Sequence, residues 1–102
     1  MNLTLVEKNK NLNSLITMGT NGFFPLFHES WIAEAEQQPR KKLSKKDQLT
    51  IKQITKKILK HRNIERKKII LLSLPEEERN IFIRNFLNLV ENKILDIGTE
   101  LQ

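Results

Sequence analysis

Side chains able to do chemistry are few in this sequence, and their spacing does not favour it. There is no cysteine and no tyrosine. Disulfides, thiolate nucleophiles, Cys-based zinc sites and iron–sulfur clusters are therefore excluded together. The histidines are His28 and His61, and the aspartates are Asp47 and Asp96. General acid–base catalysis needs a histidine or carboxylate held against a second group in a pocket, and this pool is thin and scattered. His28-Glu29 has no second histidine four residues on, so the zinc-protease spacing fails. No glycine-rich phosphate loop, Gly-x-Ser-x-Gly elbow or calcium loop is present. Glu76-Glu77-Glu78 looks like a metal cluster only in one dimension. Consecutive residues of a helix diverge by about 100°, so the three carboxylates suit the positive end of a helix dipole better than one ion. The expectation is a protein with no catalytic residues, no metal and no cofactor.

Cations are what the sequence has in excess. Residues 40–68 carry Arg40, Lys41, Lys42, Lys45, Lys46, Lys52, Lys56, Lys57, Lys60, Arg62, Arg66, Lys67 and Lys68, against Asp47 and Glu65 alone. Both flanking stretches are net acidic, which leaves the whole chain at +6. Such a block is a solvated face, a partner for the chain's own acidic ends, or a contact for an anionic ligand. Recognition of nucleic acid adds stacking or base-reading residues to charge. Most of these cations are lysines, and no aromatic lies between Trp31 and Phe82. Single-strand stacking is therefore unsupported, whereas contact with a duplex backbone needs charge only. A helix-turn-helix over 46–72 would use 64–72 as its second helix. That helix ends in Ile69-Ile70-Leu71-Leu72, too apolar for a major groove along its length. Glu65, Arg66, Lys67 and Lys68 are the residues expected to point outward at its start.

The elements that must position these residues are helical. The sequence has 102 residues, the size of one domain. A short helix over about 10–18 follows a loose arm, 1–9. Gly19-Thr20-Asn21-Gly22 reads as a turn. Pro25 suits a first helical turn, which predicts a helix over about 25–37 with Phe24, Phe27 and Trp31 on one face. Residues 38–44 read as a basic linker. Ser44 is placed to cap a helix over about 45–62, in which Ile51, Ile54, Ile58 and Leu59 form one face and Lys52, Lys56 and Lys60 a ridge on the other. Asn63 interrupts it or caps a helix over about 64–72. Ser73-Leu74-Pro75-Glu76 has the pattern of a capping box and opens the strongest helix, 75–97. There Ile83, Phe86, Leu87, Val90, Ile94 and Ile97 lie on one stripe, widened by Phe82 and Leu89. Gly98 fits a left-handed cap. No segment alternates like a strand. The predicted fold is an all-α bundle of four to five helices with a long amphipathic C-terminal helix, forming a single helical domain over 1–102.

The breadth of the last stripe leaves two readings open: a central helix wrapped by its own chain, or a helix with one flank left for a second copy or a partner. The longest apolar runs fall far short of the roughly 20 residues that span a bilayer, and the first residues lack the apolar core of a signal peptide. The expectation is a cytoplasmic protein with no membrane contact. Two functions fit. One is a non-enzymatic protein-binding regulator: an adaptor, inhibitor or assembly factor. It would steer onto an acidic partner with Lys52, Lys56, Lys60, Arg66, Lys67 and Lys68, and hold it with apolar anchors chosen from Phe27, Trp31, Phe82, Phe86 and Leu89. The other is a nucleic-acid-binding protein that sets residues 40–68 on phosphates. The missing stacking and base-reading residues favour the first.

Overall fold

The computed structural model describes residues 5–38 and 42–100, with side chains placed for 12–38 and 42–96. Its elements are α1 (Leu5–Thr20), α2 (Glu29–Gln37), α3 (Lys45–Leu59), α4 (Ile64–Ser73) and α5 (Glu76–Glu100). No strand occurs among the described residues. The all-α expectation therefore holds, long last helix included. Helices α1, α2 and α3 each pack along α5, and α4 lies against α3. The core is shared by Leu15 and Ile16 of α1, Ala35 of α2, Ile51, Ile54 and Ile58 of α3, Leu71 of α4, and Phe82, Ile83, Phe86 and Val90 of α5. Leu26 and Phe27, from the connection before α2, complete it.

The helix ends show how local chemistry sets the boundaries. Ser44 Oγ accepts from the Asp47 N–H at 3.1 Å, and Asp47 reaches back to the Ser44 N–H at 3.4 Å, a reciprocal capping box that starts α3. Asn63 caps α4 by accepting from the Glu65 N–H at 2.7 Å. At the end of α1 the Phe23 N–H donates to the Met18 carbonyl and the Gly22 N–H to the Gly19 carbonyl. Gly22 sits between them at φ 81°, which makes this a Schellman cap. Gly19 itself is helical. A Cβ there would stand 2.7 Å from Val90 Cγ2 and 2.9 Å from Phe24 Cε1, so its bare backbone lets α1 approach α5.

Several expected boundaries move. α1 begins at Leu5, inside the segment read as a loose arm; residues 1–4 lie outside the described residues, as do 39–41 of the basic linker. Pro25 does not open α2. That helix starts at Glu29, with His28 as its cap: Nδ1 accepts from the Ser30 N–H at 3.3 Å. The irregular turn before it buries both Leu26 and Phe27 in the core. Ser73 does not cap α5 either. It closes α4, its hydroxyl donating to the Ile70 carbonyl at 2.7 Å, while the Pro75 carbonyl accepts the first bond of α5 from the Arg79 N–H at 3.0 Å. Gly98 does not end α5, which continues to Glu100.

Candidate protein-interaction surface

Burial sorts the basic residues into two groups. α3 ends at Leu59, short of the expected 62, and Lys45, Lys52 and Lys56 on it and Lys60 at its C-cap all face solvent. They recur at spacings of seven and four, which places them on one side of the helix, opposite the buried Ile51, Ile54 and Ile58. The acidic residue of α3, Asp47, is engaged in the cap. Leu49 lies on the same ridge, one turn after Lys45 and one before Lys52, and is 56 % exposed. On α4, Arg66 is exposed and Lys68 half-buried. Lys67 is corrected outright: it is expected on the outer basic face and is fully buried, with Nζ lacking a hydrogen-bond partner. The cause is its place in the stripe. Ile64, Lys67 and Leu71 recur at i, i+3 and i+7, and burying Ile64 and Leu71 against α3 carries Lys67 in with them. Burial alone pushes its ammonium below the usual lysine range.

The apolar anchors are corrected in the same way. Phe27, Phe82 and Phe86 are buried, and they are the centre of an aromatic cluster. The Phe27 and Phe86 rings meet edge to face at 5.0 Å, and Phe24 stacks on Phe27 at 6.3 Å. Such rings bury too much area against one another to serve as surface contacts. Trp31 is half-buried. The Arg79 guanidinium lies 4.6 Å from its ring centroid, a cation–π contact that fastens α2 to α5. Leu89 is the most exposed member of that set. Elsewhere Met18 and Phe23, Leu49 on α3, Ile69 and Leu72 on α4, and Ile94 and Leu95 on α5 also stand outward, so the stripe expected to run on through Ile94 meets solvent there. The position of Leu49 on the lysine ridge follows from helical spacing alone and is the signal that the reading of α3 passed over.

A groove of about 570 Å³ lies between α2, the start of α3 and the first turns of α5. Glu34, Asp47, Glu76, Glu77, Asn80 and Arg84 are among its lining. Glu34 and Glu76 hydrogen-bond to each other, and that bond, with their mutual repulsion, raises the Glu34 pKa above the ordinary glutamate value. No histidine, serine or cysteine lines the groove. No group of histidines or carboxylates among the described residues is arranged to hold a metal ion. No helix among them is long and apolar enough to cross a membrane. No protein-family model, curated protein or solved structure matches the chain.

Proposed function

We propose that this protein is a non-enzymatic helical binding module, an adaptor, inhibitor or assembly factor, that docks an acidic protein partner on the outer face of α3. The observation that carries the reading is the ridge of Lys45, Leu49, Lys52, Lys56 and Lys60, which sets an exposed apolar side chain among solvent-facing lysines. The lysines raise the encounter rate with an acidic surface, and the leucine supplies a desolvated contact that slows dissociation. A phosphate backbone has no use for Leu49. The helix-turn-helix alternative also loses strength, because α4 turns Lys67 inward and Ile69 and Leu72 outward.

The test is capture from native extract with the full chain as bait, at two salt concentrations, with and without nuclease. An acidic protein retained after nuclease, and lost with both Leu49→Ser and the triple reversal Lys52→Glu, Lys56→Glu, Lys60→Glu, supports the proposal. Duplex DNA binding at physiological salt would overturn it, if log affinity falls with log salt by about 0.9 per neutralised phosphate and Leu49→Ser has no effect.

A further inference from the structure

Helix α4 carries its polarity reversed. Lys67 has no exposed surface and its Nζ no hydrogen-bond partner among the described residues, while Ile69 is 62 % and Leu72 61 % exposed. Two residues turn a helix by about 200°, so the lysine and the outward isoleucine occupy opposite sides. Any roll of α4 that returned Lys67 to water would also withdraw Leu71, which is fully buried. The conflict belongs to the docked helix itself. Burying an ammonium that has no partner favours separation, because water satisfies what the interior does not. Burial also holds the Lys67 pKa below the usual lysine value, with no charged neighbour contributing.

Two further features bear on what separation would look like. The ends of α4 are closed by its own neighbourhood. Asn63 accepts from the Glu65 N–H, the Ser73 hydroxyl donates to the Ile70 carbonyl, and the Leu74 N–H donates to the Leu71 carbonyl. None of these bonds requires α3. The remaining frame is also built without α4, since α1, α2 and α3 each pack on α5.

We propose that α4 is a releasable segment, which detaches from α3 and returns Lys67 to water while the other four helices stay packed; ten residues make a marginal helix alone in water, so its amides lose protection once it detaches. In the released state Arg66, Lys67 and Lys68 are all solvated, and Ile64 and Leu71 join Ile69 and Leu72 as accessible apolar surface. The inference goes beyond the binding reading above and stands without it.

Native-state hydrogen exchange of the full chain tests it. The amides of 67–71 are expected to exchange through a sub-global opening with a denaturant dependence well below that of the core amides, about tenfold or more faster than those of Ile83 and Phe86. Lys67→Met, which removes the buried charge at similar volume, is expected to slow their exchange by about tenfold. A second readout needs no variant. Labelling of folded wild-type protein with an amine-reactive ester is expected to modify Lys67 more slowly than Lys52, and at the opening rate of the α4 amides. The proposal is overturned if the α4 amides exchange only with the core, if Lys67→Met folds and leaves their exchange unchanged, or if Lys67 is labelled only at the rate of global unfolding.

Discussion

Helices α3 and α4 are neighbours in sequence and in space, and both are rich in lysine, yet they treat that residue in opposite ways. Along α3 the lysines at 45, 52, 56 and 60 stay in water, and isoleucines at 51, 54 and 58 take the inner face. Along α4 the inner face is Ile64, Lys67 and Leu71, and Ile69 and Leu72 are left outside. Both helices obey the same geometric rule. What differs is how many apolar positions the inner stripe receives from the sequence. α3 has enough turns for its inner face to be filled by isoleucine at every step. α4 has ten residues, and one of its three inner positions is a lysine. A helix is oriented by the sum of its burial energies, and a single misplaced charge is overruled when its stripe neighbours are large enough.

The comparison is broken most severely by removing the residue that overrules Lys67. Leu71→Ala is expected to destabilise the protein by about 2–5 kcal/mol, since a fully buried leucine leaves a cavity; urea denaturation measures it. A loss below about 1 kcal/mol would mean that α4 is not held through its Ile64–Leu71 side. Lys67→Met goes the other way, with an expected gain of about 1–3 kcal/mol in the same experiment, because it removes a buried polar group that has no partner.

The pH dependence sharpens the same contrast. The folded pKa of Lys67 is depressed, so the folded chain binds fewer protons than the unfolded chain once pH passes that folded value. Stability attributable to this site therefore rises as pH increases from the folded pKa toward the unfolded value of about 10.4. Lys67→Met should remove that rise from denaturation midpoints measured across neutral to alkaline pH. Glu34 has the opposite sense. Its folded pKa is raised by Glu76, so the α2–α5 contact gains as pH falls through that value, and Glu34→Gln should flatten the acid side of the profile. The smallest effect belongs to the α3 ridge. Reversing Lys52, Lys56 and Lys60 together should leave the melting temperature within a few degrees, as exposed substitutions stay within about ±0.5 kcal/mol each. A large loss would show that the ridge is paired within the fold.

Much of this architecture was legible in the residues. Ser44 and Asn63 announce two caps, because side chains that accept from the first free N–H groups leave a local signature. The α3 isoleucines and the stripe from Phe82 to Val90 follow from period alone. What escaped was whatever depends on neighbours. The aromatic spacing of Phe27 and Phe86 is the same for a core and for a binding face, and only the partners at 5.0 Å decide which it is. Pro25 suits a helix start, but its preference is local, and the helix begins at Glu29 under the His28 cap. Lys67 was misplaced because an inventory of apolar positions passes over a lysine within the stripe, although Ile64 and Leu71 bracket it at helical spacing.

The position of α5 in the chain has a consequence for how the molecule comes to be made. Three earlier helices rest on it, and the Lys93 ammonium donates to the Thr17 hydroxyl at 2.7 Å across 76 positions of sequence. A ribosome adds about 5–20 residues per second, so α1, α2 and α3 leave it well before the surface they share exists. During that interval Leu15, Ile51 and Ile54 have only the core residues that precede α5 for cover. Long-range closure of this kind slows folding relative to bundles built from adjacent hairpins. The nascent chain thus completes its core only when the stripe from Phe82 to Val90 emerges to receive the earlier segments.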